Sequence, residues 1–153
     1  RERLDAGVIA GYPLRDIRVT LTYGSYHDVD SNEMAFKIAG SMALKEGVQK
    51  GKPVLLEPVI KLALTVQSED VGTITGDLTG RRGQVLGTRG LSNGRITIDA
   101  SVPLAELSDY AGKFKSMTGG RGAYTLEFSH YEAVPPKRQR EVAAHWKPKA
   151  DED

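Results

Sequence analysis

Apolar and polar positions along this chain switch repeatedly between a period of two and a period near four, and each switch marks an element. From Asp16 to Thr22, Ile17, Val19 and Leu21 alternate with Arg18, Thr20 and Thr22, which predicts a half-buried strand. Beyond a polar stretch, Met34, Ile38 and Met42 repeat every four residues, joined by Ala35 and Ala39. This predicts an amphipathic helix from Ser31 to about Glu46, stopped by Gly47 and Gly51. Asp30 and Glu33 have capping-box spacing, which leaves Tyr23 to Val29 as an exposed connection. Before the first strand, Arg1 to Asp5 reads as the tail of a helix, and Gly7, Gly11 and Pro13 interrupt the pattern.

The second half is richer in period-two runs. Val54 to Val66 is extended, broken at Glu57-Pro58 because proline cannot donate to a ladder, so a boundary is expected there. Ile60, Leu62, Leu64 and Val66 then begin a new domain. Ser68 to Arg82 carries Gly72, Gly76 and Gly80 at every fourth position. That spacing would give a helix one bare stripe for close approach, but glycine content leaves a loop equally open. Gln84–Leu91 and Arg95–Val102 read as a hairpin turned at Asn93-Gly94. Leu104 to Met117 follows as a helix with Leu104, Leu107, Ala111 and Phe114 inward. Ala123 to Glu132 is a strand with Tyr124, Leu126, Phe128 and His130 on one face. The order strand, helix, strand, strand, helix, strand is the ferredoxin-like split βαβ arrangement, βαββαβ. After Pro135-Pro136, KRQREVAAHWK predicts a basic helix docking through Val142 and Trp146, and the terminal KADED reads as disordered. The expected class is α+β, with a partial βαβ-type domain over residues 1–57, a ferredoxin-like domain over 58–134 and a helix with its tail over 135–153.

Composition narrows the function. The 153 residues carry 21 basic and 20 acidic side chains, so a net charge of +1 restricts nucleic-acid binding to local patches. No apolar run is long enough to span a membrane, and the absence of cysteine excludes disulfide and thiolate chemistry.

Three places carry candidate chemistry. Tyr26, His27, Asp28 and Asp30 sit on the connection before the first long helix. A histidine beside carboxylates suits a general base or a metal ligand, so a small hydrolase using His27 with Asp28 or Asp30 is one alternative. Against it, no second histidine lies within a helical turn, and His130 and His145 are remote in sequence. A plain turn and cap is another reading, and an aromatic beside an imidazole on a rigid loop also suits nucleic acid. Arg81 and Arg82 end the glycine-spaced segment, where one cation complements a helix C-terminus and a pair can hold phosphate. Thr118-Gly119-Gly120-Arg121-Gly122 offers a close backbone approach and a guanidinium, yet nothing matches the GxxxxGK[ST] loop that binds nucleotides.

Five stretches together carry a family resemblance: GYPLRDIRVTLTYGSYHDVDSNEMAFKIAGSMALKEG, KPVLLEPVIK, GDLTGRRGQ, VPLAEL and TGGRGAYTLEFSHYE. In that order they resemble bacterial translation elongation factor G, from the later half of its fourth domain into its fifth, over almost all of Gly7 to Val134. The resemblance selects helix for Ser68–Arg82 and implies that the earlier half of the fourth domain precedes Arg1 in a parent protein. It also implies a ribosome-binding module that works as a wedge and lever in tRNA–mRNA translocation.

In that reading Tyr26, His27, Asp28, Val29, Asp30 and Ser31 form a tip loop at the decoding site of the small subunit, with His27 as its tip histidine. Arg81, Arg82, Gly119 and Arg121 become contacts to large-subunit rRNA. The implied partners are both ribosomal subunits, rRNA and the tRNA–mRNA pair, for a monomeric, cytoplasmic protein with no membrane association. No catalytic residue, metal or cofactor is expected in this stretch; GTP and Mg²⁺ belong to the parent's G domain. Ser108-Asp109-Tyr110 and Phe114-Lys115-Ser116 replace the family's usual Phe-Gly-Tyr and Leu-Arg-Ser. A paralogue acting in ribosome recycling, or a ribosome-protection relative, is therefore the alternative within the family.

Overall fold

The structure, a computed structural model, describes residues 2–146, so the KADED tail lies outside the described residues. In chain order the main elements are α1 (Glu2–Ala6), α2 (Glu33–Lys50), β1 (Leu56–Gln67), α3 (Val71–Gly80), β2 (Gln84–Gly90), β3 (Arg95–Pro103), α4 (Tyr110–Met117), β4 (Ala123–Ala133) and α5 (Pro136–His145). The chain divides into two compact units: Leu56–Ala133, and another formed by residues up to Leu55 with those from Val134.

The Leu56–Ala133 unit is a four-stranded antiparallel sheet in the order β2-β3-β1-β4, with α3 and α4 as its helices. The βαββαβ order is the expected one. Leu62, Leu64 and Val66 of β1 and Ile98, Ala100 and Val102 of β3 form the inner face of the sheet. Ile74 and Leu78, four apart on α3, and Tyr110 and Phe114, four apart on α4, close over them. All ten are buried, and full burial of a large apolar side chain stabilises by roughly 1.5–3 kcal/mol. The β2–β3 turn places Gly94 at φ +75°, a conformation suited to glycine.

Four expectations change here. Pro58 does not break the run: β1 begins at Leu56, and Pro58 pairs with Tyr131 of β4. The ladder to β3 starts only at Val59, so proline sits where one side is already free. A 3₁₀ turn at Leu104–Glu106 precedes α4, which turns Tyr110 and Phe114 inward and leaves Leu104 and Ala111 exposed. The stripe of Gly72, Gly76 and Gly80 faces open space, since a Cβ at any of them would meet nothing within 4 Å. The helix approaches the sheet through Ile74 and Leu78 instead. Finally, the β1–β4 register shifts between Val59 and Ile60, and this bulge interrupts the alternation expected to carry His130 alongside Tyr124.

The other unit contains α1, α2 and α5. No strand forms there among the described residues. The alternating segment Asp16–Thr22 joins no ladder, with Ile17, Val19 and Leu21 exposed. Alternation encodes a face for burial, whereas a strand also needs a neighbouring backbone, and no described segment supplies one. Likewise Met34, Ile38 and Met42 remain exposed on α2. That helix runs four residues past Glu46 to Lys50, through Gly47. Its cap is Asn32 rather than Asp30: Asn32 Oδ1 accepts from the Ala35 amide at 2.8 Å. At α5, Gln139 Oε1 accepts from the Leu55 amide at 2.9 Å while its Nε2 donates to the Pro53 carbonyl at 3.3 Å. Trp146 lies against Gly11, where a Cβ would fall 2.6 Å from the indole Nε1. Val142 is half-buried.

Candidate nucleic-acid interface

The loop before α2 is closed by two hydrogen bonds between its ends. The Ser31 amide donates to the His27 carbonyl at 3.0 Å, and the His27 amide donates to Ser31 Oγ at 2.8 Å. Asp28 to Asp30 form the turn between them. The cap at Asn32 follows directly, so loop and helix start form one hydrogen-bonded piece. Tyr26 stacks nearly parallel on Phe36 of α2, with centroids 6.5 Å apart and planes 13° apart. Tyr26, His27, Asp28, Val29 and Asp30 project outward, Val29 at 92% exposure, while Ser31 is half-buried by its loop-closing role. Such a tip can stack on a base and donate or accept hydrogen bonds. Among the described residues no carboxylate meets the His27 ring, and no group of three or more His, Asp or Glu could hold a metal. General-base chemistry needs an oriented imidazole beside a substrate cleft, so the hydrolase reading gains no geometry.

Arg81 and Arg82 occupy a different setting. Arg81 Nε donates to Asp77 at 2.8 Å and Nη1 to Asp109 at 2.6 Å, with a further bond to the Glu106 carbonyl. Its guanidinium also lies 5.2 Å from the Tyr110 ring centroid. Arg82 forks onto Glu57, at 2.7 Å and 2.9 Å, and donates to Glu106 at 2.9 Å. Both guanidinium pKa values are pushed up chiefly by these hydrogen bonds, and Asp109 is held below its usual range by Arg81. Burial raises the Tyr110 phenol. This network fastens the end of α3 to β1 and to the segment before α4. The two arginines read as rRNA contacts are thus committed to internal carboxylates.

Gly119 and Gly120 take φ +57° and +76°, which favours glycine in the turn after α4. Arg121 beside them reaches Glu69 at 3.0 Å and the Thr118 carbonyl at 3.3 Å, and its side chain stays 54% exposed. Glu69 precedes α3 and Arg81 follows it, so ten helical residues, about 15 Å, separate the two arginine sites. They do not converge on one patch. Sequence reading missed Phe36 as the brace of Tyr26, Asn32 as the cap, and Glu57, Glu106, Asp77 and Asp109 as partners. Only Asn32 had a local signal, an Asn three residues before the first capped amide.

Comparison with known proteins covers nearly the whole chain. The family model "Elongation factor G, domain IV" matches residues 1–52, and "Elongation factor G C-terminus" matches residues 54–142. A crystal structure of a protein from Thermus thermophilus is 42% identical, with a TM-score of 0.76, over 93% of this chain and 21% of that one. The chain therefore spans about one fifth of the length of that protein.

Proposed function

The chain belongs to the elongation factor G family, as a translation elongation factor module, and from that premise we propose that it is a ribosome-binding piece that promotes tRNA–mRNA translocation through the loop Tyr26–Ser31. The observation that carries this reading is the loop itself, closed on His27 and Ser31, continuous with the Asn32 cap and braced by Tyr26 on Phe36. A braced, outward-facing aromatic and imidazole can hold RNA without chemistry of their own. GTP hydrolysis, with its Mg²⁺, would be supplied by a G domain elsewhere in a longer cytoplasmic factor. No described helix is long and apolar enough to cross a membrane. Of the rRNA contacts, Gly119 and Arg121 present an accessible turn, while Arg81 and Arg82 hold the domain that displays it.

One observation favours a second reading within the family. Asp109, where the family's usual glycine is replaced, takes hold of Arg81. Altered large-subunit contacts would suit a recycling paralogue better than the main translocase.

The test is a chimeric elongation factor G whose corresponding domains are replaced by this chain, with and without His27→Ala. Translocation slowed about tenfold with GTP hydrolysis intact is expected, the size of one lost stacking contact. An unchanged rate would sink the tip assignment, and ribosome splitting by the same chimera would then support the recycling reading.

A further inference from the structure

The helix α5 is basic in sequence, and the family reading gives it no task. The structure fixes its orientation. Gln139 bonds the backbone at Pro53 and Leu55, Trp146 packs on Gly11, and Val142 is half-buried, so one side of the helix is docked. At 100° per residue, Lys137 and Arg140 fall on the opposite side, and both are exposed. Neither forms an ion pair among the described residues, although Glu141 is adjacent. The first turn of the helix contains no acidic residue and Pro135 provides no side-chain cap. Cations in the first turn of a helix oppose its dipole, so Lys137 is placed against local stability, while Arg140 lies one turn further on. A charge that costs the helix something, beside a second exposed cation on the same undocked face, is suited to an external anion.

We propose that the outer face of α5, through Lys137 and Arg140, binds the phosphate backbone of folded RNA. The inference rests on the ribosome reading for its choice of polyanion. A lipid surface fits less well, because the large apolar residues of the helix lie on the docked side and an interfacial helix would have to expose them. The spacing of three residues puts the two cations one above the other along the helix, able to meet adjacent phosphates of one strand. Arginine can fork onto a phosphate and lysine acts as a point charge, so both suit backbone contact without sequence readout.

The test compares the 153-residue chain with its Lys137→Gln/Arg140→Gln variant, using a 20-base-pair RNA duplex, anionic phosphatidylserine vesicles and purified 70S ribosomes. Glutamine is a good helix former, so the melting temperature should be unchanged or slightly raised. Duplex binding should weaken, and the slope of log K against log salt should fall by about 1.5, at 0.7–0.9 for each lost phosphate contact. Equal slopes, no duplex binding by the wild type, or binding to vesicles alone would each overturn the proposal. Ribosome pelleting separates it from the functional reading. Equal binding of both proteins to ribosomes would reject α5 as a contact and leave that reading intact. Loss of duplex binding in the variant, with no ribosome binding by the wild type, would do the reverse.

Discussion

Arg82 grips Glu57 with both ends of its guanidinium, Nη1 to Oε1 at 2.7 Å and Nη2 to Oε2 at 2.9 Å, while its own backbone sits at φ +57°. Glu57 is 9% exposed, so removing the arginine takes the forked guanidinium from a buried carboxylate. Arg82→Ala should destabilise the domain by about 3 kcal/mol in urea unfolding, at the lower end for a broken buried pair because Arg82 remains partly exposed. Arg82→Gly should cost about 1 kcal/mol less than alanine, because glycine relieves the left-handed backbone. Equal losses in the two variants would mean that the backbone stores no strain there.

Tyr110 makes a pH prediction of defined sign. Its hydroxyl is buried with no protein partner among the described residues, and burial raises its pKa. A raised folded-state pKa contributes stability that is present below the unfolded value, near 10, and lost as pH climbs above it. Stability should therefore fall above about pH 10, and Tyr110→Phe should reduce that fall. At pH 7 the same variant should be neutral or up to about 1 kcal/mol more stable, since it deletes an unsatisfied buried hydroxyl. Chemical denaturation at about pH 7 and about pH 10.5, read against wild type, checks both arms.

Glycines in and after α3 should respond in opposite directions. Gly76 faces open space on the helix, so Gly76→Ala should stabilise by about 1 kcal/mol through helix propensity. At Gly83 a Cβ would lie 2.6 Å from the Leu78 carbonyl oxygen and 2.9 Å from Val102 Cγ2. Gly83→Ala should cost about 1–3 kcal/mol, as overpacking does in a core. Thermal melts of the two single variants decide the point, and destabilisation by Gly76→Ala would restore the close-approach role that the spacing suggested.

The ferredoxin-like domain was legible because its signals are local. Alternation at Ile60, Leu62, Leu64 and Val66 and the Asn93-Gly94 turn each act within a few residues, whereas the pattern turns Leu104, Leu107, Ala111 and Phe114 inward and only Phe114 of these is buried, with Tyr110. The exposed loop before α2 was legible for the same reason, as a polar stretch leading into a helical stripe. What the pattern could not show was partnership across the chain. The fork from Arg82 to Glu57 spans 25 residues and the Arg81–Asp109 pair spans 28. Nor does alternation at Ile17, Val19 and Leu21 say whether a second strand lies alongside. Periodicity defined the glycine stripe without saying which way it faces.

The cap of α2 makes the last prediction, and it joins helix stability to the tip loop. None of the helix's residues is buried, so packing does little to hold its 18 residues, and capping and the Glu46–Lys50 pair at 2.6 Å carry more than usual. Asn32→Ala removes the acceptor for the Ala35 amide and should cost about 1 kcal/mol of local stability. Amide exchange at Ala35 should then accelerate about fivefold, the population change that energy implies. Because Asn32 directly follows Ser31, the His27 amide should lose protection as well, while the core of β1 and β3 exchanges as before. Faster exchange at Ala35 with an unchanged His27 amide would show that the loop is held by Ser31 alone, and that bracing of the tip does not depend on the helix beginning at Asn32.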